Sequence, residues 1–90
     1  MNQLLLIEDD LIMGESLAQR LEIEGYIVFW CKRLSEAKAT DLMNFSAVIS
    51  DVRLPDGIAT KWFAELPVLA RSIPWFFLTA HSSIEDAISA

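Results

Sequence analysis

The sequence is poor in cysteine, histidine and basic residues, and each shortage excludes a class of site. Its single cysteine, Cys31, cannot form a disulfide within the chain, which fits a reducing compartment. No second His or Cys stands at the spacing of zinc ligands, so a zinc site is not predicted. Seven basic residues face thirteen acidic ones, for a net charge of −6. Because clustered basic side chains hold nucleic-acid phosphates, these residues are not predicted to bind nucleic acid directly.

Long apolar runs and a Gly-rich loop are also absent. Crossing a bilayer takes about 20 apolar residues, and no run approaches that length, so no membrane contact is predicted. The N-terminal residues, MNQLLLIEDD, place carboxylates directly after an apolar run, the reverse of a secretory signal. No Gly-rich loop follows that run, which argues against a dinucleotide site. Together with the single cysteine, these features predict a cytoplasmic location.

The composition that remains is that of a packed domain. Hydrophobic residues make up 53 % of the 90 positions and charged residues 22 %, which favours a globular core over disorder. We therefore predict one small domain over residues 1–90. Within its core, Cys31 is expected to be a buried apolar residue rather than a reactive thiol. Trp30, Trp62 and Trp75 are expected to be core or interface aromatics, since no basic residues interleave with them.

Short apolar runs alternate with helix-like stretches. The runs are continuous, which is typical of strands buried on both faces, and predict strands at residues 3–8, 26–31, 46–51 and 73–80. The first helix is predicted to begin at Asp10, to end at Gly25 and to pack through Met13, Leu17 and Leu21.

Three further helices are predicted along the chain. Ser35 caps the second, Pro67 stops or kinks the third, and Ser82 or Ser83 begins the fourth. Strands alternating with helices in this way predict an α/β fold with a parallel sheet and helices on both faces. In such sheets the functional site lies at the carboxyl ends of the strands.

Acidic side chains stand at these strand ends. Glu8, Asp9 and Asp10 end the first strand, Asp51 ends the third, and Thr79 lies at the same end of the fourth. Like charges raise one another's pKa unless a cation neutralises them, and Mg²⁺ prefers carboxylates, waters and phosphate oxygens. We therefore predict an acidic magnesium pocket in which one carboxylate acts as a nucleophile toward phosphorus.

Each of these residues also has an ordinary structural explanation when it is taken alone. Asp51 precedes a turn, where Asp is common, and Thr79 is a typical β-branched strand residue. Asp10 is accounted for as a helix cap. The functional interpretation depends on their combination with Glu8 and Asp9 at one edge of the sheet.

Three segments, in this order, resemble the receiver domain of bacterial two-component response regulators: LLLIEDD, DVRLPDG and FFLTAH. The segment DVRLPDG, followed later by LTAHSSIEDAISA, looks most like receivers at the front of enhancer-binding transcription activators. The resemblance implies a flavodoxin-like, doubly wound parallel sheet with the strand order 2-1-3-4-5. It also implies a sensor histidine kinase as the partner and a downstream output, such as transcription, that phosphorylation regulates.

The resemblance implies a role for each matching residue. Asp51 is the phosphoacceptor, and Thr79 is the switch hydroxyl. Asp9 binds Mg²⁺ directly, Glu8 binds it through water, and Arg53 offers its backbone carbonyl to the metal. On this interpretation the chain is not an ordinary enzyme, since at most it catalyses its own phosphorylation.

The chain departs from the family pattern in two places. Receivers have five strands and five helices, and this sequence ends inside or just after the predicted fourth helix. The fifth strand with its lysine, and the fifth helix, are therefore expected to be missing. Ala59 stands where the family usually has Gly. If that backbone needs a positive φ, Ala adds strain of about 1 kcal/mol; otherwise the loop takes a different path.

A missing fifth strand leaves the fourth predicted strand at the edge of the sheet. We expect either self-association through this edge, as a homodimer or domain-swapped assembly, or a longer protein of which this chain is a less stable part. The alternative function is thus a non-switching interaction module that dimerises through its fourth strand and fourth helix. A magnesium phosphohydrolase is disfavoured, because Arg53 stands where that class has a second acid.

Overall fold

The computed structural model describes residues 2–78, which contain six strands. They are β1 (Gln3–Ile7), β2 (Ile27–Cys31), β3 (Ala47–Asp51), β4 (Arg53–Leu54), β5 (Gly57–Ile58) and β6 (Trp75–Leu78). Four of them form a parallel sheet in the order β2-β1-β3-β6, while β4 and β5 form an antiparallel ribbon. The order confirms the predicted α/β fold, with β6 as the predicted fourth strand. The predicted fourth helix lies outside the described residues.

Helical segments connect the strands. They are α1 (Leu11–Ile23), α2 (Leu34–Lys38), α3 (Ala59–Glu65) and α4 (Val68–Arg71), with a 3-10 turn at Leu42–Asn44. Pro67 separates α3 from α4, as predicted, because a proline cannot continue the helix before it. Ala59 is fully buried at the start of α3, and no non-glycine residue of 2–78 has a positive φ. The strain considered for Ala59 is therefore not present.

The predicted second helix is wrong in both its start and its length. Ser35 lies inside α2 rather than capping it, and the helix ends at Lys38. The hydroxyl of Thr40 donates to the carbonyl of Ala37 at 2.6 Å, which satisfies an acceptor at the end of the helix. The Asp41 carboxylate then accepts from the Met43 N–H at 3.0 Å and begins a separate 3-10 turn.

One face of the sheet packs against α2 and α3 to form the main core. Leu5, Ile7, Val48 and Leu34 are almost completely buried there. Cys31 belongs to the same cluster, which confirms that it is buried, and burial raises the pKa of its thiol to about 11, which disfavours the reactive thiolate. The prediction that the strands are buried on both faces is confirmed for β1 and β3 and is wrong for β2 and β6.

Two strand phenylalanines remain exposed on the sheet. Phe29 of β2 is 52 % exposed, and Phe76 of β6 is 57 % exposed. Both strands lie at the edges of the four-stranded sheet within residues 2–78, each paired with one neighbour. The described helices include none that is both long enough and apolar enough to span a bilayer.

The first helix packs against the sheet through Gly14 and part of the predicted apolar face, since Leu17 and Leu21 are half-buried. Asp10 caps α1 as predicted, its carboxylate accepting from the N–H groups of Ile12 and Met13 at 2.9 and 3.0 Å. Met13, however, is 50 % exposed, and the buried residue of the helix is Gly14. The indole of Trp30 takes the space beside Gly14, and a Cβ there would lie 2.2 Å from the ring.

Candidate metal centre

Three carboxylates converge at the carboxyl edge of the two central strands. Ile7 of β1 pairs with Ser50 of β3, so the residues that follow them, Glu8 and Asp51, lie side by side. Asp9 is the third member, and one carboxylate oxygen from each residue lies within 4.8 Å of the others. Glu8 and Asp51 are buried, each 3 % exposed, while Asp9 faces solvent. The predicted convergence of these three side chains is therefore present in the fold.

Burial and negative neighbours raise the pKa of one carboxylate in this cluster. The pKa of Glu8 is raised to about 7, chiefly because burial disfavours its charged form. The charge of Asp51 and hydrogen bonds to Asp51 and Asp9 raise it further. The Asp10 N–H, which donates to Glu8 Oε2 at 3.3 Å, acts in the opposite direction. A nearby positive charge would favour the ionised form of Glu8 and lower this pKa.

The donor set fits a hard divalent cation. All three groups offer carboxylate oxygens, which Mg²⁺ prefers, and two of the carboxylates are withdrawn from water. Within residues 2–78 the one ion pair joins Arg20 and Glu24 on the surface of α1, so no basic side chain pairs with the cluster. A cation would offset the negative charge that no basic side chain of residues 2–78 pairs with.

Asp51 is held at the end of β3 by local hydrogen bonds. Its Oδ1 accepts from the Val52 N–H at 2.9 Å, and its carbonyl accepts from the Ser50 hydroxyl at 2.8 Å. Arg53 follows two residues after Asp51, in β4, with its side chain exposed to solvent. Thr79 lies outside the described residues.

Sequence reasoning missed Asp56, which ties the loop after Asp51 to α2. The two oxygens of Asp56 accept from the N–H groups of Leu34 and Ser35 at 2.8 and 2.9 Å. These bonds, the Leu34 one foremost, lower the pKa of Asp56. Arg33, the residue preceding α2, makes no side-chain cap, so a carboxylate from a distant loop supplies it. Only the position of Asp56 in a Pro/Gly turn hinted at this contact.

Trp30 also reaches the metal centre, which its assignment to the core aromatics did not anticipate. Its indole Nε1 donates to the backbone carbonyl of Glu8 at 2.9 Å. The ammonium of Lys32 lies over the same ring, 4.6 Å from its centroid. In contrast, Trp62 and Trp75 are packed edge to face, 5.7 Å apart, against the core, as predicted.

Comparison with known proteins agrees with this arrangement. The family model described as the response regulator receiver domain matches residues 4–90. The swarming motility regulation protein RssB of Serratia marcescens is 30 % identical over 88 residues, covering 97 % of this chain and 40 % of that protein. The transcriptional regulatory protein GlrR of Escherichia coli (strain K12) is 35 % identical over 88 residues, covering 97 % of this chain and 20 % of that protein.

Solved structures show the same fold. The non-phosphorylated HemR receiver domain from Leptospira biflexa superposes with a TM-score of 0.81 at 34 % identity. The match covers 99 % of this chain and 73 % of that one. The chain therefore spans most of a solved receiver domain but only 40 % and 20 % of the two curated relatives.

Proposed function

We propose that this chain, which belongs to the response regulator receiver domain family, accepts a phosphoryl group on Asp51 in a Mg²⁺-dependent reaction. Receiver domains of response regulators act in two-component signalling. What is proposed for this chain is the transfer of a phosphoryl group to Asp51. The observation that carries it is the convergence of Glu8, Asp9 and Asp51, with carboxylate oxygens within 4.8 Å of one another.

The proposed reaction is a transfer from a phosphohistidine to a carboxylate. An oxygen of Asp51 attacks the phosphorus, the phosphorus–nitrogen bond breaks, and its electron pair returns to the histidine ring of the kinase. The product is an aspartyl phosphate. The Val52 N–H and the buried surroundings hold the Asp51 carboxylate in one orientation, which reduces the entropy lost on the way to the transition state.

Glu8 and Asp9 are proposed to hold the cation together with Asp51, with the backbone carbonyl of Arg53 completing the protein's share. Bound Mg²⁺ supplies charge neutralisation for the carboxylates and the phosphoryl oxygens. Thr79, which the described range does not include, is proposed as the hydroxyl that contacts the phosphoryl group after transfer. The match to the family pattern supports the roles proposed for the Arg53 carbonyl and the Thr79 hydroxyl.

Membership of the receiver domain family also suggests a partner, a location and an output. A sensor histidine kinase is proposed as the partner and the cytoplasm as the location. The output is proposed to be regulation of transcription, since GlrR is named a transcriptional regulatory protein. The chain spans 20 % of GlrR. Regulation of transcription is therefore proposed for a longer protein that contains a domain such as residues 1–90, and not for these residues by themselves. The net charge of −6 supports the proposal that these residues do not themselves bind nucleic acid.

Phosphorylation is expected when the purified chain is incubated with Mg²⁺ and acetyl phosphate, a small-molecule donor. Intact-mass spectrometry should show the addition of one phosphoryl group, and an excess of chelator should prevent it. Circular dichroism on the same sample verifies that the chain is folded. If the folded chain gains no mass with Mg²⁺ present, the proposed function is wrong.

A second candidate function is self-association through β6. Within residues 2–78 this strand pairs with β3 alone, and its Phe76 is 57 % exposed. Unpaired N–H and C=O groups beside an exposed aromatic favour pairing with a second copy. We propose a homodimer on this basis. Sedimentation equilibrium is expected to show a mass that rises with concentration, and a monomer throughout the range would contradict it.

A further inference from the structure

We infer that Trp30 is a positioning residue of the metal centre, and that its hydrogen bond to the Glu8 carbonyl raises the affinity of the acidic pocket for Mg²⁺. The inference rests on the proposed function, because it concerns the same pocket. It assigns a task to a residue of β2 that contributes no ligand of its own.

The hydrogen bond acts on the peptide unit between two of the three carboxylate residues. The carbonyl of Glu8 belongs to the planar peptide group that joins Glu8 to Asp9, so fixing that oxygen orients the group. Trp30 Nε1 donates to it at 2.9 Å. On the other side, the Glu8 N–H donates to the carbonyl of Cys31 at 2.9 Å. Both backbone groups of Glu8 are therefore held by β2, just beyond the end of β1.

This restraint matters because Glu8 and Asp9 are adjacent in the chain but their side chains lie in different environments. Glu8 is 3 % exposed, and Asp9 is exposed to solvent. Rotation of the peptide between them would swing the Asp9 carboxylate away from Asp51. A pocket whose ligands are already in place loses less conformational entropy when the cation binds. Preorganised ligands thus bind the metal more tightly than the same ligands on a loose backbone.

The indole is itself held in place from two sides. Gly14 of α1 leaves the space that the ring occupies, since a Cβ there would lie 2.2 Å from Cζ2 and 2.7 Å from Nε1 of Trp30. The ammonium of Lys32 lies 4.6 Å from the ring centroid. The donor is therefore fixed by packing against the helix that begins directly after the acidic residues, which links Gly14 to the metal centre through Trp30.

Trp75 provides a matched control within the same chain. Its indole also donates to a backbone carbonyl, that of Ala70, at 3.0 Å. Trp75 pairs with Val48 in the sheet, three residues before Asp51 on β3, so it lies toward the opposite end of the strand. Replacing either tryptophan by phenylalanine removes one indole–carbonyl hydrogen bond and keeps an aromatic ring. Only the Trp30 change removes a bond at the metal centre.

The test is the Mg²⁺ affinity of Trp30→Phe and Trp75→Phe, measured by isothermal titration calorimetry at a temperature where circular dichroism shows both variants folded. Trp30→Phe is expected to weaken Mg²⁺ binding about three- to tenfold, the range that loss of one hydrogen bond produces. Trp75→Phe is expected to bind Mg²⁺ within about twofold of the parent chain, although its melting temperature falls. In metal-free samples, the amide resonance of Asp9 should shift in Trp30→Phe and not in Trp75→Phe.

A second variant protects the test against poor folding of Trp30→Phe. Gly14→Ala keeps the indole but forces it to move, so it should also weaken Mg²⁺ binding, although alanine is the better helix former. Equal Mg²⁺ affinity in the parent chain, Trp30→Phe and Gly14→Ala overturns this inference and leaves the proposed function standing. An equal loss in Trp30→Phe and Trp75→Phe also overturns it, since the cause is then general stability. Failure of the parent chain to bind Mg²⁺ overturns the proposed function as well.

Discussion

Replacing Asp51 by Asn is expected to abolish the Mg²⁺-dependent phosphorylation of this chain. The amide has nearly the same size and its oxygen still accepts from the Val52 N–H, so the end of β3 should keep its structure. The amide oxygen carries no negative charge, however, and cannot form a stable acyl phosphate. Intact-mass spectrometry with Mg²⁺ and acetyl phosphate is expected to show no added phosphoryl group on Asp51→Asn.

The matched control for this variant is Asp41→Asn. Asp41 is an exposed acid whose carboxylate accepts from the Met43 N–H, so the change removes the same charge from a local turn rather than from the acidic cluster. Asp41→Asn is expected to gain the phosphoryl group as the parent chain does. A phosphoryl group found on Asp51→Asn would show that another carboxylate, such as Asp9, is the acceptor, and would sink the assignment of Asp51.

The free energy of unfolding of the metal-free chain is expected to fall by about 3 kcal/mol as the pH rises from about 4.5 to above 7. The folded-state pKa of Glu8, about 7, lies above its ordinary value of 4.5, mainly because the side chain is buried. Between these two values the folded chain keeps a proton that the unfolded chain has already lost. The stabilisation is therefore complete below the unfolded pKa and disappears as the pH passes the folded one.

Urea unfolding across this pH window, with chelator present, measures the effect. Glu8→Gln should flatten the profile, because the amide is neutral at every pH, and should be more stable than the parent chain at about pH 8. Glu15→Gln is the control, since Glu15 is exposed on α1 and should leave the slope unchanged. Asp56, whose pKa is lowered, loses its contribution only as the pH falls through that lowered pKa, below this window. If Glu8→Gln keeps the parent's slope, burial of Glu8 is not the cause.

Mg²⁺ should reverse this loss of stability at neutral pH and above. A ligand that binds only the folded state stabilises it in proportion to the logarithm of its concentration over Kd. The proton on Glu8 competes with the cation, so this gain should shrink as the pH falls below about 7. The same titration therefore links the raised pKa of Glu8 to the occupancy of the metal centre.

The sequence alone determined the fold class and the members of the acidic cluster. Continuous apolar runs between helical stretches predict parallel strands, and parallel strands bring their carboxyl ends to one edge. For that reason Glu8, Asp9 and Asp51 could be placed together although more than forty positions separate the first from the last. The cap at Asp10 and the break at Pro67 were also predictable, because both depend on the chemistry of adjacent residues.

Only the tertiary structure decided which residues support the cluster. Trp30 donates to Glu8 and Asp56 caps α2 across sequence separations of 22 residues in both cases, so no local pattern contains either contact. The packing of α1 through Gly14 rather than Met13 depends on the indole that fills the neighbouring space. Periodicity predicts which side of an element is apolar, whereas the shape of the facing surface decides which residue makes the closest approach. The carboxylates of this cluster could thus be predicted from the chain, and the residues that support them could not.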